Sequence, residues 1–207
     1  MSAAVADRKP LAAVILAAGE SRRMGAPKAL VPYRGTTFVE HLLEITRHTR
    51  VGVTRIVVGA HADAIREKLS SQAAAIVVNE DWIKGQLSSI QAAIRSLPEE
   101  GSCGMILCPV DHPMVSAALV ARLIAEFDAS GKAIVIPTYG RRRGHPLIFR
   151  ASLYPELLAA SPEVGARQVV WAHADEISEV STEEEGVILN INDSATLERA
   201  LRVPGPH

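Results

Sequence analysis

Arg23 and Lys28, set in a glycine-containing loop, are the side chains of this chain best placed to do chemistry. The stretch Leu16 to Lys28 reads Leu-Ala-Ala-Gly-Glu-Ser-Arg-Arg-Met-Gly-Ala-Pro-Lys. Gly19 and Gly25, with the small Ala17 and Ala18, let the backbone turn sharply and approach a ligand closely. Arg22, Arg23 and Lys28 then place fixed positive charge around the exposed N–H groups, an arrangement suited to a polyphosphate. The Gly-Lys-Ser/Thr ending of a P-loop is absent, and the spacing of Gly19 and Gly25 is not that of the dinucleotide fingerprint.

Asp111 supplies the complementary charge. It follows the apolar run Met105-Ile-Leu-Cys-Pro-Val and precedes His112-Pro113. A carboxylate at the mouth of a buried strand can ligate a hard cation, and magnesium takes few protein oxygens and fills its shell with water and phosphate. Helix capping or a solvated turn is the plainer role for an Asp-x-Pro alone. A third cluster, Arg141-Arg142-Arg143-Gly144-His145-Pro146, reads equally as a solvated loop or as an anion site. His41, His48, His61, His112 and His173 show no metal-ligand spacing.

The elements that must position these groups alternate. Ala12 to Ala17, Arg55 to Gly59, Ala75 to Val78, Met105 to Pro109 and Ala133 to Pro137 read as buried strands. Between them Thr37 to His48, Asp63 to Leu69, Leu87 to Leu97 and Ala117 to Phe127 carry apolar residues at helical spacing. Ser88-Ser89 and Ser116 offer starting caps, and Gly131 stands near a helix end. Beyond Pro137 a strand is expected over Leu147 to Phe149 and another over Val187 to Asn190. Helices are expected over Ser152 to Ala160, Arg167 to Trp171 and Ser194 to Leu201. This alternation predicts an α/β fold: a three-layer Rossmann-like domain with a mixed, mainly parallel sheet. Ligands gather in such a sheet at the carboxyl ends of the strands, where both the first loop and Asp111 fall.

With Ser21, Arg23, Met24, Gly25 and Lys28 at their spacing, the first loop resembles the signature of nucleotidyltransferases that activate small molecules with a nucleoside triphosphate. Within that superfamily the chain is most similar to the molybdenum cofactor cytidylyltransferases, from about Leu11 to about Leu201. The resemblance implies that Leu16, Ala17, Ala18, Gly19, Ser21, Arg23, Gly25 and Lys28 bind the nucleotide, with Arg23, Lys28 and Asp111 catalytic. It makes Asp111 a Mg2+ ligand. Asn190-Ile-Asn-Asp-Ser resembles a late family stretch that puts Asn192 on the second ligand position. Asp193 takes that position if the loop is shifted by one residue, and capping the last helix is its other role.

Asn79 to Gln91 resembles the family segment around base and ribose, which implicates Asn79, Gly85, Ser88 and Ser89; either serine can bond a base edge or cap the helix. Ala18 stands where related guanylyltransferases usually carry glycine, which favours a pyrimidine donor. Gly144-His145-Pro146 looks like the family's acceptor-side element, with Arg143 and His145 meeting the acceptor. Gly165-Ala166-Arg167 resembles the end of a motif that brings Arg167 there too, although Pro162 and Glu163 replace its Gly-Asp. The implied reaction is transfer from CTP to the phosphate of a molybdopterin-type cofactor, with transient contact to a molybdoenzyme. Alternatives are a sugar or polyol phosphate acceptor, or a non-catalytic carrier of the pterin dinucleotide.

Bulk composition narrows the remaining classes. The 207 residues suit one domain, 1–207, with a core over 11–201 and loose ends in the first dozen residues and from Val203 to His207. At 48% apolar and 22% charged the chain is expected to be ordered, and a net charge of -1 gives no reason to expect nucleic acid or membrane as a partner. Cys103 and Cys108 are too few and too local for a disulfide framework or a zinc site, and read as small hydrophobes in a reduced compartment. The polar Asp7-Arg-Lys-Pro interrupts any secretory signal, so a cytoplasmic location is expected.

Overall fold

Seven apolar residues in succession near the N-terminus become the central strand of the sheet, and every one of them is buried. The computed structural model describes residues 9–98 and 101–202. Its strands are β1 (Leu11–Ala17), β2 (Pro32–Tyr33), β3 (Thr36–Thr37), β4 (Val51–Val58), β5 (Ile76–Val78), β6 (Gly104–Pro109), β7 (Ile134–Tyr139), β8 (Arg142–Arg143), β9 (Leu147–Arg150) and β10 (Ile177–Ser181). Its α-helices are α1 (Phe38–Ile45), α2 (Ala62–Lys68), α3 (Gln86–Ser96), α4 (Ala117–Ser130), α5 (Tyr154–Ala159), α6 (Arg167–Ala172) and α7 (Ser194–Arg202). The main sheet runs β10-β7-β9-β6-β1-β4-β5, with β8 paired to β7, while β2 and β3 form a separate ribbon. β9 is antiparallel to both of its neighbours, and β1, β4, β5 and β6 are mutually parallel. The expected mixed, mainly parallel sheet is therefore present.

Two apolar layers sandwich it. Alternate side chains of β1 (Leu11, Ala13, Ile15, Ala17) face Phe38 and Leu42 of α1, Ile65 of α2 and Leu119 and Leu123 of α4. The other set (Ala12, Val14, Leu16) faces Leu87, Ile90 and Ala93 of α3, Leu157 of α5 and Val169 of α6. Period-2 strands between period-3.6 helices give this three-layer arrangement directly. Ser116 caps α4 as expected, accepting from Leu119 N at 3.0 Å, and Gly131 ends it in the left-handed conformation.

Three expectations need correction, and two longer stretches of strand were not expected. Leu11 and Ala12 are completely buried in β1, so the loose N-terminal segment does not extend to the twelfth residue; the ends expected to be loose at 1–8 and 203–207 lie outside the described residues. Ser88 and Ser89 do not cap α3. Gly85 takes that place with φ 98° and ψ -176°, a conformation open to glycine, and Ser88 Oγ donates back to its carbonyl at 2.8 Å. Val187 to Asn190 is not a strand: Val187 ends a single 3-10 turn over Glu185–Val187, and its burial comes from packing against the chain rather than from pairing. The edge strand β10 and the first half of β4 carry too few apolar residues to announce themselves.

β4 and β5 lie on one side of β1 and β6 on the other, so the strand order reverses at β1. The carboxyl ends of β1 and β6 thus form a switch-point crevice, closed at its floor by the Val110 N to Leu16 O hydrogen bond of 3.0 Å.

Candidate functional site

The loop leaving β1 turns at Ser21, whose φ is 56°, and Met24 N donates to Ser21 O at 2.9 Å. Ser21 Oγ then accepts from Lys28 N at 3.0 Å, which folds the loop back and fixes the root of the lysine. A 3-10 turn over Lys28–Leu30 carries the chain away. Arg22 points outward and pairs with Glu20 at 2.7 Å, whereas exposed Arg23 is near enough to Lys28 to disfavour its charged form.

Lys28 reaches across the crevice. Its Nζ donates to Asn192 Oδ1 at 2.7 Å and lies 4.0 Å from Asp111 Oδ2. Three residues far apart in sequence, each singled out for phosphate or metal chemistry, therefore meet at one point. Burial lowers the Lys28 pKa below its ordinary value; Asp111 and Asp193 oppose the shift and Arg23 adds to it. Asn192 is held there by the chain before it, because Ile191 N donates to Asp111 O at 2.8 Å and the Ile191 side chain is fully buried. Asp193 caps α7, accepting from Thr196 N at 2.7 Å, and that bond holds its carboxyl below the usual carboxylate range.

Beside this point lies a cleft of about 230 Å³ lined by Leu16, Ala17, Ala18, Gly19, Ser21, Lys28, His61, Trp82, Gly85, Gln86, Ser89 and Asp111, among others. His61 Nε2 lies 2.8 Å from the Glu20 carbonyl. Arg23, Gly25, Asn79 and Ser88 do not line the cleft. Asn79 is buried and braces its wall: Nδ2 donates to Ser88 Oγ at 2.8 Å and Ser89 Oγ at 3.0 Å, and Oδ1 accepts from Asp81 N at 3.0 Å. Trp82 and His61 carried no signal in the sequence, because nothing local ties either to the first loop.

A second cavity, about 430 Å³, opens on the other side of Gln86. Leu87, Ile90, Leu107, Ile136, Leu147, Phe149, Val164 and Val170 form an apolar part of its wall, and Arg143, His145 and Arg167 are its basic side chains. Arg143 Nε also donates to Glu179 Oε1 at 2.7 Å, so its charge is shared. The His145 and His112 rings face each other with centroids 4.8 Å apart, and His112 Nε2 lies 3.9 Å from Asp111 Oδ1. Nδ1 of each ring is buried without a hydrogen-bond partner among the described residues. Burial, reinforced by His112, pushes His145 down to about 4, and burial lowers His112 as well. His112 lines neither cavity but adjoins Asp111 of the first and His145 of the second, a placement invisible in its sequence spacing.

The donor set fits a hard divalent cation. Asp111 and Asn192 bring one carboxylate and one amide oxygen to a spot already suited to positive charge, since the Lys28 ammonium stands beside both. No cluster of three or more His, Cys, Asp or Glu side chains capable of holding a metal occurs among the described residues. Two oxygen donors would leave the rest of such an ion's shell to water and phosphate. No helix among the described residues is long and apolar enough to cross a membrane.

Comparison with known proteins places the frame that carries these residues. Residues 13–177 match the family described as the MobA-like NTP transferase domain. The chain is 28% identical over 193 residues to a molybdenum cofactor guanylyltransferase of Cupriavidus pinatubonensis, covering 89% of this chain and 93% of the relative. It is 35% identical over 162 residues to the nicotine blue oxidoreductase of Paenarthrobacter nicotinovorans, covering 74% and 78%. Among solved structures it is similar to Rv0371c of Mycobacterium tuberculosis (TM-score 0.82, 26% identity, 94% of this chain and 100% of that one). The manganese complex of that protein gives a TM-score of 0.79 at 25% identity, covering 95% and 100%.

Proposed function

We propose that this chain, which belongs to the MobA-like NTP transferase domain family, transfers a cytidylyl group from CTP to the phosphate of a molybdopterin-type cofactor and releases pyrophosphate. The observation that carries the reading is the meeting of Lys28, Asp111 and Asn192 at the mouth of β1 and β6. Relatives of this frame bear names from different reaction classes, so the frame does not choose the chemistry and the site must. A cationic loop opposite a carboxylate and an amide oxygen is built for a metal-bound polyphosphate.

In this reading an acceptor phosphate oxygen forms a bond to the α-phosphorus of CTP. The bond to the β-phosphate oxygen breaks, and pyrophosphate departs with the electron pair. The attacking oxygen is already anionic, so no side chain need remove a proton. Lys28 and Arg23 hold the β- and γ-phosphates and neutralise charge that grows on the leaving group. Magnesium held by Asp111 and Asn192 would neutralise charge at the α-phosphate. Gly85 and Ser89 face the base and ribose, while Asn79 and Ser88 keep that wall in place. Arg143, His145 and Arg167 receive the acceptor, whose phosphate suits these basic groups and whose flat ring system suits the apolar side chains beside them.

Support for a pyrimidine donor comes from Ala18. It lines the cleft and is buried there, and it carries a methyl group that a glycine in that place would lack. The test is pyrophosphate release with magnesium, each of the four nucleoside triphosphates, and as acceptor either molybdopterin cofactor or one of a panel of sugar and polyol phosphates. Fastest release with CTP is expected. Faster release with GTP would reassign the donor, and release only with a sugar or polyol phosphate would reassign the acceptor. Tight binding of the finished dinucleotide with no turnover on any pair would mark a carrier instead.

A further inference from the structure

We propose that Lys28 is a displaceable occupant of the divalent-cation site, so that metal and lysine compete for Asn192 and the metal binds well only once a polyphosphate draws the lysine away. The inference rests on the reading of Asp111 and Asn192 as metal ligands and adds an order of assembly to it. Its basis is one contact. Asn192 Oδ1, the neutral oxygen of the pair, already accepts the Lys28 ammonium at 2.7 Å, with Asp111 Oδ2 4.0 Å from the same nitrogen. An amide oxygen aimed at an ammonium group cannot also give a 2-Å-class bond to a cation in that place without moving the ammonium.

Three features fix Lys28 at its root and leave its head group with a replaceable partner. Its backbone is anchored by Ser21 Oγ and by the 3-10 turn, in which Val31 N donates to Lys28 O at 3.1 Å. Its side chain is only 12% exposed, so its charge is held largely out of water. Among the described residues the one hydrogen-bond partner of its ammonium is a neutral amide; Asp111, 4.0 Å away, and Asp193 favour its charge, but burial and Arg23 oppose it and the net effect is unfavourable. A largely buried ammonium whose single direct hydrogen bond is to a neutral oxygen gains by moving to a polyanion. A triphosphate entering the cleft thus does two things: it offers Lys28 a better partner and adds oxygens to the metal shell. The coupling is reciprocal, so a bound metal also tightens the nucleotide.

The experiment is Mn2+ titration of the full chain without nucleotide, read by the electron paramagnetic resonance signal of the free ion. Lys28→Met should bind Mn2+ on the order of tenfold more tightly than the unaltered protein, the effect of removing one charged hydrogen bond that competes for a ligand. Arg23→Met controls for loss of a nearby positive charge alone and should gain clearly less. Lys28→Gln serves as a second uncharged variant and should also gain. Adding Asn192→Ala to Lys28→Met should shrink the gain. Equal affinity in Lys28→Met and the unaltered protein, or the same gain in Arg23→Met, would overturn the proposal. Nucleotidyl transfer is measured separately by pyrophosphate release. Transfer without any Mn2+ gain sinks the lysine exchange alone, whereas a gain without transfer leaves the exchange standing and removes the reaction.

Discussion

Lys28 and Asp111 face each other across the crevice with different duties, and their substitutions should separate. If Lys28 acts chiefly on departing pyrophosphate, Lys28→Ala should lower kcat roughly a hundredfold while changing KM for CTP much less. A loss confined to KM would mean that it binds without catalysing. Asp111→Ala should abolish metal-dependent turnover with the thermal midpoint preserved, because Asp111 sits at a strand mouth and not in the core; near-normal turnover at low magnesium would move the metal to Asp193. His145 carries a pH signature. In the unfolded chain it takes its proton near its ordinary 6.5, but in the fold only near about 4. Between those values the unfolded state binds more protons, so stability falls as pH drops through this window, by about 3 kcal/mol in full. Burial shifts His112 the same way. Urea unfolding from pH 7.5 to 4.5 should show this acid loss, reduced in His145→Asn; parallel loss in both proteins would refute the assignment.

The segment following β10 does more for the site than its lack of regular structure suggests. Glu184 accepts from Ser116 N at 2.8 Å and Ser116 Oγ at 2.6 Å, which clamps it to the start of α4. His145 N donates to Val187 O at 2.8 Å, and Ile191 N to Asp111 O, so the same strand of chain touches both cavities before delivering Asn192. Gly186 passes so close to Met114 that an added Cβ would overlap its carbonyl. Gly186→Ala should therefore displace the segment, at a cost of roughly 1–3 kcal/mol, and should weaken turnover through Asn192. Calorimetry and the pyrophosphate assay check this, and an unchanged midpoint with full turnover would show that the close approach is relieved cheaply. Little of this was legible in sequence. β1 and β6 announce themselves because strands buried on both faces are unbroken apolar runs, and the first loop because its cations follow one of them. β10, Ile-Ser-Glu-Val-Ser at an edge, has its two apolar residues three apart and so lacks the alternation of a strand, and the apolar Val187 cluster imitates a strand although a turn holds it. The meetings of Lys28 with Asn192 and of His112 with His145 are long-range products of strand order, which no local pattern encodes.

Strand order at the scale of the molecule explains why all the candidate chemistry collects at one end. The chain leaves β1 for β4 and β5 on one side and returns to β6 on the other, so the exits of β1 and β6 open onto one crevice. β9, inserted antiparallel between β6 and β7, then brings Gly144 and His145 to the neighbouring edge of that crevice. Donor and acceptor cavities consequently share one sheet and the wall residue Gln86. Both apolar layers are built on the same central strands, so neither can be lost without exposing β1. We therefore propose that the whole chain is one cooperative unit. Urea unfolding followed by far-ultraviolet circular dichroism and by tryptophan fluorescence should give coincident transitions. Trp82 reports from the donor cleft and Trp171, 65% exposed, from α6 beside the acceptor cavity, so the two probes sample both halves. Ligand binding should act on that single transition. With Mn2+ and CTP at about a hundred times their joint dissociation constant, the stabilisation is about 2.7 kcal/mol, or a rise of several degrees in the thermal midpoint. The rise should be the same by both probes. Two separated transitions, with only one of them shifted by Mn2+ and CTP, would divide the chain into a donor-binding unit and an acceptor-binding unit.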